Sequence, residues 1–240
     1  MALEDGLLFF FKLGDNLDTL GIGPWNNLDG FGVTYFSSGF GLIGDALAVG
    51  GFHGSSALGY LYKNNVQDFK LFGNIRTYGL WFYPTTFAGT PTIFCNWYVN
   101  YGIPEYELRH DGSNLIFRLW DTNLGFRTIT FPNAVPLNTW TFFSFTYDVT
   151  NGSVTARVNA DAPLTAHADI GASNLQFLLG NAGSNDKQFN GGIGMLSMWN
   201  RVLTPAEQVT FYNGGQGMEL PFPAGGGGDV VSAAPMFLLA

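Results

Sequence analysis

Two glutamates, Glu105 and Glu107, have the residue type and spacing of a catalytic acid pair. In a β-strand, side chains two residues apart point to the same face, so these carboxylates are predicted to lie close together. Retaining glycoside hydrolases use two carboxyl groups about 5 to 5.5 Å apart, one as acid and one as nucleophile. The alternative is a solvated strand face beside a hairpin, and this alternative is favoured. We therefore predict no catalytic residues.

Two Asx-rich segments offer the hard oxygen ligands that Ca²⁺ prefers. Their residues are Asp15, Asn16 and Asp18 in the first segment, and Asn181, Asn185 and Asp186 in the second. Neither segment matches a defined calcium loop, and Asx residues that form turns explain both equally well. Ca²⁺ is the only candidate cofactor. The three histidines, His53, His110 and His167, have no H-x-x-x-H or cysteine partner, so the sequence indicates no zinc site.

Aromatic residues make up 16% of the chain, and most of them are expected in the core. Rings in loops beside hydrogen-bonding side chains provide the apolar face and polar edge that a sugar needs. The candidate glycan-binding residues are Trp25, Tyr98, Asn100, Tyr101, Glu105 and Tyr106. A loop plug packed into the domain is the alternative for these rings.

Alternating apolar and polar residues, separated by glycine-rich or Asx-rich turns, predict about a dozen β-strands. The pairs Asp111-Gly112 and Asn151-Gly152 tolerate positive φ angles and are predicted to close two hairpins. The 33 glycines and the lack of a long helical pattern argue against an α/β fold. The predicted fold class is all-β, a two-sheet antiparallel β-sandwich (jelly roll) with one short C-terminal helix.

That helix is predicted over residues 205–213. Thr204 is placed as N-cap, Pro205 at the first helical position and Glu207 at the third, which together form a capping box. Gly214 or Gly215 is expected to end the helix in a left-handed conformation.

The strand before the helix is apolar on both faces. Alternation places Ile193, Met195, Ser197 and Trp199 on one face, and Leu196 and Met198 on the other. Neither face suits water. We expect a loop or the helix to cover the outer face, and a subunit contact is the alternative.

Four fragments carry a resemblance to a known family. They are TYGLWFYP (77–84), TWTFFSFTYD (139–148), SVTARVNADAP (153–163) and FNGGIGMLSMWNRVLTPAEQVTFYNGG (189–215). Their order and letters resemble the strands of laminin-G-like domains, which belong to the concanavalin A-like jelly-roll superfamily. The chain departs from the family at Gly194, Met195 and Ser197, where charged residues are usual, and at Asn159-Ala160, where Asp-Gly is usual.

This resemblance covers roughly residues 3 to 220 and implies one jelly-roll domain. It implies a calcium-binding or glycan-binding module, and also a glycoside hydrolase or lyase, since the superfamily includes such enzymes. The E-x-D-x-x-E arrangement of the jelly-roll glucanases is absent here.

The charge and cysteine content narrow the partners. A formal net charge of −8 and only ten basic residues exclude nucleic acid as a partner, because phosphate contacts need clustered Lys and Arg. Cys95 is the single cysteine, so the fold needs no oxidising compartment.

The N-terminus shows no signal peptide, and its apolar run is far shorter than the roughly 20 residues of a membrane span. We expect synthesis in a host cytoplasm.

Residues 1–222 are predicted to form the domain, and residues 223–240 a glycine-rich hinge with an apolar tail. The tail residues expected in assembly are Val230, Val231, Phe237, Leu238 and Leu239. We expect them to dock on a neighbouring subunit, and folding back on the same domain is the alternative.

Together these observations predict a non-enzymatic structural and adhesive module, a homo-oligomer within a larger assembly such as a bacteriophage virion surface or its decoration, with a cell-surface glycan as a further partner. A free carbohydrate-binding lectin and a glycoside hydrolase or lyase are the alternatives.

Overall fold

A computed structural model describes residues 3–11, 26–27, 33–36, 46–49, 61–64, 69–86, 89–98, 103–112, 114–171, 175–182 and 187–218. Over these residues the chain forms two antiparallel sheets and one α-helix. The predicted all-β sandwich with a short C-terminal helix is confirmed.

The first sheet, sheet A, contains eight of the described strands. Numbered in chain order, they are β1 (Leu7–Phe11), β3 (Val33–Phe36), β4 (Ala46–Val49), β6 (Arg76–Pro84), β11 (Thr141–Asp148), β12 (Ser153–Val158), β13 (Leu164–His167) and β15 (Gly191–Trp199). Their order across the sheet is β13-β12-β11-β6-β15-β4-β3, and β1 also pairs with β15. The Asn151-Gly152 pair closes the β11–β12 hairpin as predicted, with Gly152 at φ +65°.

The second sheet, sheet B, contains seven of the described strands. They are β2 (Asn26–Asn27), β5 (Leu61–Asn64), β7 (Thr92–Tyr98), β8 (Ile103–His110), β9 (Asn114–Asp121), β10 (Gly125–Pro132) and β14 (Leu175–Leu179). Their order is β10-β9-β8-β7-β14-β5-β2. The β8–β9 pair is connected through Asp111-Gly112, with Gly112 at φ +85°.

Aromatic rings from both sheets fill the core between them. Phe145 of sheet A stacks on Tyr78 at a centroid distance of 4.7 Å and packs against Phe117 of sheet B at 4.5 Å. Phe94 of sheet B also reaches Phe145, and all four side chains are buried. Burial of such large rings provides most of the driving force for closing a sandwich.

A second apolar cluster covers the outer face of sheet A. It contains Trp81 of β6, Trp199 of β15 and Phe211 of the helix α1 (Pro205–Tyr212), together with Leu3. Phe211 meets Trp199 edge to face at 5.2 Å, and the Trp199 indole N–H donates to the Leu3 carbonyl at 2.6 Å. The helix therefore covers this face, as expected from the apolar strand.

A β-bulge in β15 changes which side chains share a face. The register of β15 against β6 shifts between Gly194 and Ser197, and Met195 adopts φ +52°. Ile193 consequently belongs to the central core, whereas Met195 joins the outer cluster. The prediction that these two residues share a face is wrong because the bulge inserts one residue into the alternation.

The capping box at the start of α1 is present as predicted. The Thr204 hydroxyl accepts the Glu207 N–H at 3.2 Å, and the Glu207 carboxylate accepts the Thr204 N–H at 2.8 Å. At the other end Asn213 is the C-cap, at φ +50°, and Gly214 and Gly215 continue with positive φ. The helix thus ends one residue earlier than predicted.

Residues 219–240 lie outside the described part of the chain, so the predicted boundary at 222/223 and the assembly residues Val230, Val231, Phe237, Leu238 and Leu239 stay predictions. Among the described residues, no helix has the length and apolar character needed to cross a bilayer.

We expect Thr204→Ala to lower the free energy of unfolding by about 1 kcal/mol, since the substitution leaves the Glu207 N–H without its cap. Urea unfolding measures the change. Thr210→Ala is the matched control, because Thr210 is exposed and its hydroxyl bonds only the carbonyl of Ala206 within the helix. Equal losses in both variants would show that the cap contributes nothing specific.

Candidate functional site

Glu105 lies at a bulge in β8. Across β7, Asn96 pairs with Tyr106 and Trp97 pairs with Pro104, so Glu105 is an extra residue with no partner in the register. A bulge turns its side chain away from the direction that simple alternation assigns. The Glu105 side chain is fully buried.

A network of hydrogen bonds surrounds this carboxylate, here called the Glu105 network and formed by Phe69, Leu71, Phe72, Tyr78, Asn96, Glu105 and Tyr106. The carboxylate accepts the backbone N–H of Leu71 at 3.1 Å and of Phe72 at 3.3 Å. It also accepts the Asn96 side-chain amide at 3.1 Å. The carboxylate therefore holds the segment before β6 by its backbone.

The Phe69 carbonyl is the other centre of this network. It accepts the Tyr78 hydroxyl at 2.6 Å, the Tyr106 hydroxyl at 2.9 Å and the Asn96 amide at 3.1 Å. Two strands of sheet B and one of sheet A thus contact one peptide group.

Burial raises the pKa of Glu105 from 4.5 to about 7. The hydrogen bonds from Leu71, Phe72 and Asn96 and the charge of Lys70 favour the ionised form but do not outweigh the loss of water. The carboxyl group therefore changes its charge near neutral pH.

Glu107 belongs to a different set of contacts. Its two oxygens accept the Thr92 hydroxyl at 2.7 Å and the Arg118 Nε–H at 2.5 Å. The Arg118 guanidinium in turn lies 4.1 Å from the centre of the Phe126 ring. Glu107 is fully buried, and the ion pair connects β8 to its neighbour β9.

The two glutamates therefore do not form an acid–nucleophile pair. The prediction that both share one strand face is wrong because of the bulge, and the expected solvated face is wrong because both side chains are buried. Each carboxylate oxygen accepts a hydrogen bond from the protein. Neither carboxylate is accessible to a substrate.

The structure excludes two of the predicted residues, Glu105 and Tyr106, from glycan binding. Glu105 and Tyr106 are fully buried, so neither can contact a sugar. Tyr98 ends β7, but its side chain is outside the described part. The remaining candidates, Trp25, Asn100 and Tyr101, lie outside the described residues.

A partly exposed aromatic surface lies on the outer face of sheet B, here called the Trp97 surface and formed by Tyr62, Trp97, Gln176 and Lys187. Trp97 pairs in register with Gln176 of β14, and Tyr62 of β5 lies on the far side of β14. The Lys187 ammonium lies 5.2 Å from the centre of the Trp97 ring. All four side chains remain half-buried.

Buried residues support this surface from below. Cys95, Leu178 and Ala182 form a small apolar cluster against which Tyr62 and Trp97 pack. The Cys95 thiol contacts the Asn181 carbonyl at 3.8 Å, and burial raises its pKa well above the usual range. The rings of Tyr62 and Trp97 thus pack on buried side chains. The apolar face of Trp97 lies beside the amide of Gln176 and the ammonium group of Lys187.

A family comparison agrees with this geometry. Residues 59–207 match the family described as the concanavalin A-like lectin/glucanases superfamily, which is more than half of the chain. The chain belongs to this superfamily. The predicted laminin-G-like, concanavalin A-like resemblance is confirmed.

Solved structures of botulinum neurotoxin domains have a similar fold to this concanavalin A-like chain. The receptor-binding domain of mosaic serotype C/D gives a TM-score of 0.66 at 16% identity, over 89% of this chain and 52% of that one. The serotype D ligand-binding domain in complex with N-acetylneuraminic acid gives a TM-score of 0.66 at 14% identity, over 88% of this chain and 51% of that one. The serotype DC binding domain in complex with rat synaptotagmin II gives a TM-score of 0.66 at 13% identity, over 88% of this chain and 52% of that one.

At these identities the likeness is one of fold. This concanavalin A-like chain spans about half the length of those solved structures. No curated protein matches it by sequence.

The predicted calcium residues of this concanavalin A-like domain are not brought together by the described structure. Asn181 is fully buried beneath the Trp97 surface. The other predicted ligands, Asp15, Asn16, Asp18, Asn185 and Asp186, lie outside the described residues, so calcium binding there stays a prediction.

The sequence reasoning missed another cluster of donors. The ligand atoms of Asp121, His167 and Asp169 lie within 4.8 Å of one another. His167 and Asp169 are two residues apart in the sequence, whereas Asp121 is distant from both. The three residues come together because the segment after β13 lies against the β9–β10 turn. The histidine spacing alone gave no signal of this cluster.

We expect the stability of the wild type to fall between pH 5 and 8 by about 2.5 kcal/mol more than that of Glu105→Gln. A raised folded-state pKa means that the folded chain binds the proton more tightly, so its stabilising effect is complete below pH 4.5 and is lost as the pH rises through about 7. Urea unfolding at several pH values measures the difference.

His110 contributes in the opposite direction in both proteins and cancels in the comparison. Burial lowers its pKa from 6.5 to about 4, against the charge of Asp111, so its contribution rises with pH over that window. Parallel stability curves for the wild type and Glu105→Gln would show that Glu105 does not titrate there.

Proposed function

We propose that this chain is a non-enzymatic adhesive β-sandwich module that binds a glycan through the Trp97 surface. One observation carries the proposal: the two candidate catalytic acids, Glu105 and Glu107, are buried in separate sets of contacts, while Trp97 remains partly exposed among hydrogen-bonding side chains.

The Trp97 surface has the groups that recognise a sugar. An indole ring offers a flat apolar face for the C–H face of a pyranose, and Gln176 can both donate and accept hydrogen bonds to hydroxyls. The rings rest on buried Cys95 and Leu178, so little ordering is needed on binding. Membership of a superfamily that contains lectins supports the same chemistry.

The neurotoxin structures support this proposal at the level of the fold. One of them is a ligand-binding domain in complex with N-acetylneuraminic acid, and another is a binding domain in complex with synaptotagmin II. Those ligands belong to those proteins. Both are binding domains, which supports a binding role for a chain of this fold.

We further propose that the module works as a surface or decoration component of a bacteriophage virion, made in the host cytoplasm and assembled with further copies of itself. The buried thiol of Cys95 supports this proposal, because a core without disulfides folds under reducing conditions. Docking of the 223–240 tail on a neighbouring copy is the proposed contact.

We expect Trp97→Ala to weaken glycan binding at least about tenfold, which corresponds to about 1.4 kcal/mol, because the stacking face is lost. A glycan array identifies the ligand, and calorimetry measures its affinity. Phe126→Ala is the matched control, since it removes a partly exposed ring from β10, at the other side of sheet B.

The same glycans test the alternative of hydrolysis. Wild-type protein is expected to release no reducing ends from any array ligand. Turnover that disappears in Glu105→Gln or Glu107→Gln would contradict the non-enzymatic proposal, and equal affinities of Trp97→Ala and wild type would remove the Trp97 surface from it.

We expect deletion of residues 223–240 to convert an oligomer into a monomer without lowering the midpoint of thermal unfolding by more than a few degrees. Light scattering coupled to size-exclusion chromatography measures the mass of both forms. A monomeric full-length chain would contradict the assembly role and leave the glycan proposal standing.

A further inference from the structure

One imidazole and two carboxylates converge where the edges of the two sheets meet. Asp121 ends β9 of sheet B, His167 ends β13 of sheet A, and Asp169 follows two residues later. One ligand atom from each lies within 4.8 Å of the other two. We propose that these three side chains bind a divalent transition metal ion, with Zn²⁺ as the favoured ion.

Asp121 is fixed before any ion arrives. It is 1% exposed, and its Oδ1 accepts the backbone N–H of Asn123 at 2.8 Å and of Leu124 at 2.9 Å. Its Oδ2 accepts the Asp169 N–H at 3.0 Å. Each carboxylate oxygen has two lone-pair sites, so Oδ2 retains one for a metal.

His167 is placed by its neighbours as well. A Cβ on Gly152 would lie 2.7 Å from the His167 Nε2 and 3.0 Å from Cε1, so the glycine leaves the space that the ring occupies. The His167 carbonyl accepts the Arg127 Nε–H of β10 at 3.1 Å, which fixes the backbone. The side chain itself is exposed to solvent.

Asp169 completes the donor set from the same loop region. Its backbone is held on both sides, since its carbonyl accepts the Thr122 N–H at 2.9 Å and its N–H binds Asp121. Its side chain is exposed, and Oδ2 has one long contact of 3.4 Å with the Asn123 amide. Binding of an ion would require the exposed side chains of Asp169 and His167 to bring their ligand atoms closer than the observed 4.8 Å.

The donor set decides the class of ion. An imidazole nitrogen with two carboxylates suits Zn²⁺ and its first-row neighbours, whereas Ca²⁺ and Mg²⁺ take oxygen ligands. Three protein ligands leave one tetrahedral position for water or a partner's side chain. The ion would join the end of β13 in sheet A to the end of β9 in sheet B, so binding is expected to stabilise the folded chain.

The test uses the full-length chain after chelation and dialysis. Zn²⁺ is titrated by calorimetry, and Co²⁺ is titrated with visible absorption as a probe of nitrogen coordination. We expect one ion per chain in the wild type. Affinity is expected to fall at least about tenfold in His167→Ala and in Asp169→Asn, with loss of the Co²⁺ absorption in His167→Ala.

Asp161→Asn is the matched control, because Asp161 is an exposed aspartate in the β12–β13 turn outside the cluster. Its ion affinity is expected to equal that of the wild type. Zn²⁺ should raise the midpoint of thermal unfolding of the wild type and of Asp161→Asn, but not that of His167→Ala. Midpoints without metal show whether each variant is folded.

Three results would overturn the proposal. The first is the absence of saturable Zn²⁺ and Co²⁺ binding. The second is binding that His167→Ala leaves unchanged, which would place the ion at another group. The third is a preference for Ca²⁺ over Zn²⁺, which would show that the imidazole takes no part.

Discussion

A carboxylate placed inside a sandwich has to be neutral or fully hydrogen-bonded, and Glu105 organises its surroundings around this constraint. The segment before β6 leaves its own N–H groups at Leu71 and Phe72 without strand partners, and the carboxylate accepts both. The Phe69 carbonyl needs donors in turn, and Tyr78 and Tyr106 supply them. Removing the Glu105 carboxylate would leave the buried Leu71 N–H without its acceptor, which costs about 1 to 3 kcal/mol.

Local patterns in the sequence predicted the parts of the fold that depend on neighbouring residues. The capping box at Thr204 and Glu207 and the hairpin turn at Gly152 need only a few residues in order, and both form as predicted. The two-sheet class followed from alternation and turns. The apolar strand β15 predicted a covering element, and Phe211 of the helix provides it.

The two errors in assigning side chains to strand faces have one physical cause, which is a single inserted residue in a strand. At Glu105 and at Met195 a bulge shifts the alternation, so residues two apart no longer share a face. Alternation alone cannot reveal a bulge, because the bulge depends on the partner strand. Nothing in the sequence indicated that Asp121 and His167 lie close together, because their contact depends on the β9–β10 hairpin of sheet B lying against the β12–β13 hairpin of sheet A.

The bulge at Glu105 also explains why this member of the superfamily has no catalytic acid pair at Glu105 and Glu107. A retaining hydrolase needs two carboxylates on one open face. Here Glu105 is turned toward the segment before β6. Thr92 and Arg118 donate hydrogen bonds to Glu107. On the outer face of sheet B, Tyr62 and Trp97 pack against buried Cys95 and Leu178. Glu105 and Glu107 thus stabilise the scaffold, and neither carboxylate is available for bond cleavage.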